Sequence, residues 1–365
     1  GLAKAPGNGL RGGRLMKRVA QHFIGVDLHK TVLQYCVVDG RGDIVHEQRV
    51  TIAPDAAGAA VFDEFLPWHT GCRVAVEAVG MNRWFVNGLV ERGFPVVVAD
   101  PIKLNLKVLG KKTDKRDARE IARRLWLGDI DRDAKTWYPD DEVYGDRKLA
   151  RTRQDLMVQR QHLSNQIKAL LRAYNVSPPA KTLHSKSGIK GLLAMRLVND
   201  QLTRSLHELT NAMAAMAAGV EALKDEIEAR VAADPRMHAA MVQLPSMGAV
   251  SVLTLLSELG DAGRFRDAKA VASSGGMVPR VYQSADTSHH GRLTKRGNRG
   301  LRFILGQWAV RLMGASAAVA VWARQKRKRL HVNKVRMALA RKLLIGVWVM
   351  LTRGEVFNLK LCLGN

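Results

Sequence analysis

Two aspartates three residues apart, Asp114 and Asp117, lie inside the cationic stretch KKTDKRDA at residues 111–118. On a helix, residues three apart share one face, so the pair can present its carboxylates together. Such a pair can hold a divalent cation, and the flanking lysines and arginines suit a polyanion bound against that cation. The alternative is a solvated helix in which the acids pair with neighbouring cations. The candidates for that pairing are Lys111, Lys115 and Arg116.

Composition favours a nucleic-acid partner. The chain has 365 residues and a net charge of +25, from 58 Lys and Arg against 33 Asp and Glu. An excess of this size is the electrostatic footprint of nucleic-acid binding. The length allows two or three domains with their own cores.

The sequence gives no sign of a membrane or secretory segment. The apolar run at residues 343–351 is too short to span a bilayer, and residues 1–19 are basic and glycine-rich without an apolar segment. We expect residues 1–19 to form a flexible leader. The three cysteines have no zinc-like spacing and are expected to be buried thiols, so a cytoplasmic location is predicted.

Residues 20–142 are predicted to form a mixed α/β domain. Three β-rich runs joined by tight turns predict an antiparallel meander, and two later strands alternate with helices. The predicted strands lie at 22–27, 31–38, 44–52, 73–77 and 95–99, and the predicted helices at 56–66, 82–92 and around Asp114 and Asp117. Asp27 ends the first strand and Glu77 ends the fourth. Parallel strands present ligands at their C-terminal ends, so Glu77 is a candidate site residue.

These residues carry a resemblance to a known family. The strings IGVD at 24–27, VEAxG at 76–80 and KTDxxDA at 112–118 are similar to those of the DEDD transposases of insertion-sequence family 110. The order of elements resembles the RNase H-like, RuvC-type fold. The resemblance implies that four acids form one metal site. These acids are Asp27, Glu77, Asp114 and Asp117.

Four converging carboxylates would repel one another unless cations neutralised them. The implied cofactor is therefore one or two Mg²⁺ ions, which would activate a nucleophile and stabilise the leaving oxygen of a phosphodiester. His29 lies two residues past Asp27, and we interpret it as an exposed or structural histidine rather than a ligand.

A helical coiled-coil spacer is predicted over residues 143–235. Leucines at 149, 156, 163 and 170 recur every seven residues, and a second amphipathic run extends from Leu202 to Val231. The two helices must bury their apolar stripes, either as a hairpin within one chain or against another protomer. The sequence leaves both options open, and we expect a homodimer or a tetramer.

Residues 236–365 are predicted to form a mainly α-helical C-terminal domain with a basic loop. LPSMGA at 244–249 resembles a helix-hairpin-helix turn, although Ser246 stands where glycine is usual, and the alternative is an ordinary helix start. Between Gly275 and Arg299, glycine, proline and hydroxyl residues predict a loop surrounded by cations that contact phosphate. The candidate nucleic-acid contacts of the whole chain are Lys111, Lys112, Arg280, Arg292, Lys295, Arg296 and Arg299.

The same loop extends the resemblance. GMVPR at 276–280, then Ser284, then GRLTKRG at 291–297 look like the C-terminal transposase domain of that family, in which a serine is the nucleophile. The resemblance implies Ser284, and Ser288 is the second candidate because Ala285 replaces the family's usual glycine. A serine hydroxyl needs a base or a metal for activation, so the acids would have to lie near this loop, within or between protomers. The product would be a covalent phosphoserine link to DNA.

Two further helices are predicted at 301–312 and 334–351, joined by the basic run RQKRKR at 324–329. Such a run either binds backbone phosphates or connects the helices in solvent. The overall charge of the chain favours phosphates.

The resemblance spans residues 23–351 and implies a site-specific DNA recombinase of a mobile element. It would act on donor and target DNA and be guided by a structured RNA that the element encodes. Composition does not separate RNA from DNA, and 5% aromatic residues argue against base stacking as the main contact. Two alternatives remain. One is a RuvC-like structure-specific nuclease with Ser284 idle, and the other is a non-enzymatic nucleic-acid-binding protein whose acids are salt-bridged.

Overall fold

The chain forms two compact units, one ending at Tyr138 and the other beginning at Pro139. This computed structural model describes residues 21–53, 59–80, 82–104, 113–284, 287–293 and 297–364. The first unit is a mixed α/β domain, and the second is mainly helical. This confirms the predicted succession of an α/β region and a mainly helical region.

A five-stranded sheet with the order β3-β2-β1-β4-β5 forms the first unit. Its first three strands make the predicted antiparallel meander, and β4 and β5 run parallel to β1. The strands are β1 (His22–Leu28), β2 (Val32–Asp39), β3 (Ile44–Thr51), β4 (Cys72–Glu77) and β5 (Val96–Ala99).

Helices cover both faces of this sheet. They are α1 (Ala59–Asp63), α2 (Arg83–Glu91), α3 (Pro101–Leu104) and α4 (Asp114–Trp126), with a 3-10 turn at Leu66–Trp68 and a π-helical turn at Ile130–Ala134. Ile24 and Val26 of β1 share a core with α1 and α2, whereas Phe23 shares a core with Ile121 and Leu125 of α4. Because successive strand residues face opposite sides, Asp27 lies on the α4 face of the sheet with Phe23.

The close approach of α4 to β1 depends on Gly25. A Cβ at this position would overlap the backbone carbonyl of Ala118 and the backbone nitrogen of Ala122. We expect Gly25→Ala to lower the free energy of unfolding by about 3 kcal/mol, because neither backbone can yield without moving α4. Urea denaturation measures this. Gly80→Ala is the matched control, since a Cβ there meets nothing within 4 Å, and a change of equal size in both variants would contradict this account of Gly25.

The second unit begins with a helical hairpin. Its elements are α5 (Asp141–Ala173), α6 (Lys186–Ala194) and α7 (Asp200–Ala233). Arg230, near the end of α7, donates from Nε to Asp146 Oδ1 at 3.0 Å near the start of α5, so the long helices run antiparallel. Their apolar stripes meet within one chain, which is one of the two options left open by the sequence. The expectation of a dimer or tetramer stays a prediction.

In one helix of the hairpin the apolar residues spaced seven apart are fully buried, and in the other helix they are not. In α7 four apolar residues that are no more than 1% exposed recur every seven positions, and Thr210 and Val231 are equally buried beside them. The four are Leu206, Met213, Val220 and Ile227. In α5 the four heptad leucines are only half-buried, and Ile167 and Leu171 occupy the centre of the contact. The coiled-coil interpretation of the spacer stays a prediction.

The remaining helices pack around one apolar core that includes Leu301, Trp308 and Leu343, and two paired strands lie within residues 279–293. These elements are α8 (Pro235–Gln243), α9 (Ala249–Leu259), α10 (Ala268–Ser274), β6 (Pro279–Ser284), β7 (Thr287–Leu293), α11 (Arg299–Ala315), α12 (Ala317–Arg327), α13 (Val332–Arg353) and α14 (Leu359–Leu363). A further 3-10 turn lies at Ala262–Arg264. The helices predicted at 301–312 and 334–351 correspond to α11 and α13.

Two predictions for this unit were wrong in their secondary structure. The segment between Gly275 and Arg299 contains the antiparallel hairpin of β6 and β7 rather than an irregular loop. The basic run at 324–329 begins inside α12, whose last turn contains Arg324 and Arg327, rather than forming a connector throughout.

Within the described residues, no single helix is long and apolar enough to cross a membrane. The pair α11 and α12 meets that length and composition test only when taken together, and it is bent by 105°. Cys36 and Cys72 are buried free thiols, and Cys362 is half-buried rather than buried. Burial raises the pKa of Cys36 to about 12 and that of Cys72 to about 11, which disfavours the reactive thiolate form of both.

Candidate metal centre and serine hairpin

The first acid of the candidate centre, Asp27, lies near the C-terminal end of β1 and is only 5% exposed. Val26 pairs with Val76 of the parallel strand β4, so Asp27 and Glu77 follow directly on paired positions. Neighbouring strands lie about 4.8 Å apart, and residues in register share a face. The backbone therefore puts Glu77 beside Asp27 on the face covered by α4.

The first turn of α4 supplies two more acids, Asp114 and Asp117. Thr113 caps this helix, because its side chain accepts a hydrogen bond from the backbone nitrogen of Arg116 at 3.4 Å. Carboxylates in a first turn interact favourably with the positive end of the helix dipole. Asp117 is buried at 3% exposure, whereas the Asp114 side chain is 39% exposed.

His29 lies between two of these acids. Its Nε2 is 3.3 Å from Asp27 Oδ2 and 3.3 Å from Asp114 Oδ1. One ligand atom from each of the three residues lies within 4.8 Å of the others, so the group could hold a metal ion. The His29 side chain is 43% exposed, and its backbone nitrogen donates to Val32 O in the turn after β1. The sequence analysis did not include His29 among the ligands. Its position two residues after Asp27 was the one feature of the sequence that could have indicated a place in this cluster.

The ionised form of Asp27 is destabilised in this position. Burial raises the pKa of the Asp27 carboxyl, and the nearby charges of Asp114 and Asp117 raise it further, whereas His29 acts in the opposite direction. A buried acid surrounded by like charges favours its protonated form. A bound cation would remove that penalty, so the electrostatics of the cluster fit a cation site.

The salt-bridge alternative requires the cations near Asp114 and Asp117 to pair with these acids, and two cations of α4 pair with another acid instead. Lys115 pairs with Glu47 of β3 at 3.1 Å rather than with Asp114 or Asp117, and Arg119 also pairs with Glu47. The hydrogen bond from Arg119 is the main reason why the pKa of Glu47 is lowered. Lys111 and Lys112 lie outside the described residues.

The serine candidates lie on the hairpin of the second unit. Ser284 is the last residue of β6 and pairs with Thr287, and Ser288 of β7 pairs with Gln283. Of the predicted phosphate contacts, Arg280 lies in β6, Arg292 lies in β7, and Arg299 is an exposed residue that opens α11. Lys295 and Arg296 lie outside the described residues.

The turn between α8 and α9 has a left-handed residue at Ser246, with φ of +60°. This backbone region favours glycine, which is the residue that the helix-hairpin-helix pattern has there. The turn is held from α11, because Trp308 Nε1 donates to Pro245 O at 2.8 Å and Arg311 donates to Ser246 O at 2.7 Å.

Comparison with known proteins gives matches in both units. A family profile for DEDD transposases of the IS110 type matches residues 24–176, which include all four candidate acids. A second profile, described as "Transposase IS116/IS110/IS902 family", matches residues 238–327, which include the serine hairpin.

Three relatives, each 25% identical to this chain, align with 92% of it. They are the transposase for insertion sequence element IS1111A of Coxiella burnetii, a probable family 20 transposase of Pseudomonas aeruginosa and the transposase for insertion sequence element IS1328 of Yersinia enterocolitica. The alignments cover 91%, 98% and 98% of these relatives, respectively.

An α/β unit with clustered acids, followed by a helical unit that matches a transposase profile, defines an insertion-sequence transposase. The two profiles together match about two thirds of the chain. The chain belongs to the IS116/IS110/IS902 family of transposases. Its substrate is therefore DNA, as the sequence analysis predicted.

Proposed function

We propose that this transposase is a recombinase that breaks and rejoins DNA with a divalent-metal centre of four acids and a serine nucleophile. The observation that carries the proposal is the convergence of Asp27 from β1 and Asp114 from α4 on one small space. The strand order β3-β2-β1-β4-β5, with an antiparallel meander and two parallel strands, supports a RuvC-type RNase H-like fold for the first unit.

The donor chemistry of the centre fits Mg²⁺. Carboxylate oxygens are the hard ligands that this ion prefers, and the buried, destabilised charge of Asp27 suits a site completed by a cation. When bound, Mg²⁺ would neutralise charge on the scissile phosphate and polarise an oxygen bound to it. The proposed ligands are Asp27, Glu77, Asp114 and Asp117. His29 would hold the carboxylates of Asp27 and Asp114 in place through its Nε2.

The proposed reaction is a transesterification at Ser284. Its Oγ forms a bond to the phosphorus of a phosphodiester, the bond from phosphorus to one strand's deoxyribose oxygen breaks, and that oxygen takes up a proton. The phosphoserine ester keeps the free energy of the broken bond, so a hydroxyl of another strand can attack it and release Ser284. This step needs no external energy source, which suits exchange of strands between donor and target DNA.

An exposed cationic segment at residues 324–334 supports a nucleic-acid contact in the second unit. All of its residues are exposed, it contains no acid, and within the described part of the chain its cations form no ion pair. The cations are Arg324, Lys326, Arg327, Lys328, Arg329 and Lys334. We propose that this segment contacts backbone phosphates, because exposed cations without an acidic partner break no ion pair when they bind a polyanion.

Replacing Lys326, Arg327 and Arg329 by alanine together is expected to weaken DNA binding uniformly across sequences. The slope of log K against log salt concentration should become shallower by roughly 0.9 for each phosphate that the variant no longer neutralises. Binding is measured by fluorescence anisotropy from about 50 to 200 mM salt. The control removes the same charge from three exposed arginines that are paired with acids. These are Arg236, Arg266 and Arg353. An equal change of slope in both triple variants would exclude a special role for residues 324–334.

We further propose that a structured RNA encoded by the element guides the reaction, as the family resemblance implies. The high positive charge suits binding of a structured RNA as well as of DNA. Sequencing the RNA that copurifies after a high-salt wash tests this. One discrete species is expected, and heterogeneous RNA or none would contradict guidance and favour a protein-only recombinase.

The experiment that tests the reaction itself is detection of a covalent protein–DNA adduct. The protein is incubated with DNA and Mg²⁺, denatured, and digested to identify the peptide that carries the phosphate. Phosphate on Ser284 is expected. Cleaved DNA without any adduct would instead support a nuclease that attacks with water, and bound but intact DNA would support a binding protein.

A further inference from the structure

The hairpin that carries Ser284 is closed at its base. We use the term hairpin base for residues 274–276, which precede β6, and residues 297–298, which follow β7. The backbone nitrogen of Asn298 donates to Ser274 O at 2.7 Å. Gly297 has φ of +128°, and a Cβ there would overlap Ser274 O, so the two chain segments touch through their backbones.

Arg302 of α11 also joins the two segments of the hairpin base. Its Nη1 donates to Gly275 O at 2.9 Å on one side and to Gly297 O at 3.1 Å on the other. One guanidinium therefore satisfies carbonyls on both sides of the hairpin. This contact fixes the distance between the two segments of the hairpin base, one before β6 and one after β7.

Asn298 connects the hairpin base to a buried acid, Glu258 of α9. The Asn298 side-chain nitrogen donates to Glu258 Oε2 at 2.7 Å. The same carboxylate accepts two hydrogen bonds from Arg151 of α5, at 2.7 and 2.8 Å, and Arg147 donates to the Glu258 carbonyl at 3.1 Å. The long helix α5, the core helix α9 and the hairpin base therefore meet at one side chain.

Glu258 is only 1% exposed, and its carboxylate is closely surrounded. A Cβ at Gly300 would overlap its carboxylate, so the start of α11 lies directly against it. Burial alone would raise the pKa of Glu258, yet hydrogen bonds from Arg151 and Asn298 hold it below its usual value. A buried carboxylate with these donors is a rigid anchor, because each donor that is lost weakens the compensation of a buried charge.

We propose that Glu258 and Asn298 are positioning residues that fix the hairpin of Ser284 relative to α5 and α9. This inference rests on the proposed role of Ser284 as the nucleophile. A nucleophile must lie within about 3–3.5 Å of the phosphorus that it attacks, and a displacement of about 1 Å can cost about 10²-fold in rate. The Glu258 contact would therefore act on the rate of adduct formation without touching the DNA.

Asn298 also caps α11, because its Oδ1 accepts from the backbone nitrogen of Leu301 at 3.1 Å. Aspartate caps helices as well as asparagine does, but it cannot donate to Glu258. The substitution Asn298→Asp therefore keeps the cap, removes the hydrogen bonds to Glu258 and places a second carboxylate beside it. Asn358→Asp is the matched control, since Asn358 caps α14 in the same way through Leu361.

We expect Asn298→Asp to slow formation of the covalent adduct by about 10²-fold, with the Kd for DNA unchanged within about twofold. The assay is run well below the Tm of each variant, so that loss of folded protein does not contribute. Asn358→Asp should keep the unaltered rate. An unaltered rate for Asn298→Asp, or an equal loss in both variants, would overturn the proposal.

Combining Asn298→Asp with Glu258→Gln exchanges the amide and the carboxylate between the two positions. The amide nitrogen at position 258 can then donate to the new carboxylate, and its oxygen can still accept from Arg151 Nε, whereas the hydrogen bond from Arg151 Nη2 is lost. We expect the double variant to recover adduct formation to within about tenfold of the unaltered protein. A double variant no faster than Asn298→Asp would show that the two side chains are not coupled in this way.

Hydrogen exchange separates this proposal from the chemistry of Ser284, because it is measured on the protein without DNA. In Asn298→Asp, the backbone amides of β6 and β7 should lose protection while those in the middle of α9 keep theirs. Arg302→Met, which preserves the Glu258 contact and removes the bridge between the carbonyls, should loosen the same strands. Unchanged protection of β6 and β7 in both variants would refute the positioning role even if Ser284 forms the adduct.

Discussion

Ser284→Ala is expected to abolish the covalent protein–DNA adduct and strand exchange, with a loss of at least about 10³-fold, while DNA affinity changes by less than about twofold. The hydroxyl of Ser284 is the atom that would become bonded to phosphorus, and alanine offers no replacement. Removing one hydroxyl from the end of β6 leaves the strand pairing with Thr287 available. The loss should therefore fall on the chemical step and spare both folding and binding.

The measurement is a denaturing gel of reactions that contain labelled donor and target DNA with Mg²⁺, followed by identification of the phosphorylated peptide. Ser288→Ala is the control, because Ser288 lies on the adjacent strand and pairs with Gln283. An adduct that persists in Ser284→Ala and disappears in Ser288→Ala would transfer the nucleophile to Ser288. Normal DNA cutting by both variants, without an adduct, would favour the nuclease alternative.

The α/β unit was largely predictable because its strands have a strong local pattern. The buried runs at Ile24–Val26 and Val74–Val76 are continuous apolar segments, each followed directly by an acid. Parallel pairing then brings Asp27 and Glu77 to adjacent positions, which sequence order alone suggests. The contact between His29 and Asp114 could not be predicted, because one turn residue carries no periodic signal and the contact depends on how α4 packs.

The serine hairpin was predicted as an irregular loop for a physical reason. Its strands contain glycine, proline and many polar residues, so they lack the alternation that marks a half-buried strand. The helix α12 was missed because its last turn is a run of cations, which obscures the apolar face formed by Val319 and Trp322. In both places the tertiary context decides the structure, and local propensity is weak.

The link between Glu258 and Asn298 joins positions far apart in the sequence, and no local pattern reveals such a contact. A signal was nevertheless present. Glu258 lies at the end of a strongly apolar helix, next to the fully buried Leu259. A charged residue in such a setting is almost always paired, so the sequence could have indicated that a partner exists but not which one.

Asp114→Asn is expected to remove recombination to a comparable degree, by at least about 10³-fold, and to reduce the stabilisation of the protein by Mg²⁺. The substitution keeps the shape of a side chain that is 39% exposed, so the fold should survive. It removes a charge that opposes ionisation of Asp27 and also a charge that interacts favourably with His29 and the start of α4, so the metal-free variant should have about the same stability as the unaltered protein. Loss of activity without loss of stability is the signature of a ligand rather than a structural acid.

Thermal unfolding with increasing Mg²⁺ measures this directly, because a ligand that binds only the folded state raises Tm by mass action. The unaltered protein should gain Tm with Mg²⁺, and Asp114→Asn should gain far less. Asp133→Asn is the control, since Asp133 is an exposed acid of the same unit that pairs with Arg132. If Asp114→Asn instead destabilised the metal-free protein and left the response to Mg²⁺ intact, Asp114 would be a structural partner of His29. The non-enzymatic alternative would then gain support, because its acids serve only in salt bridges.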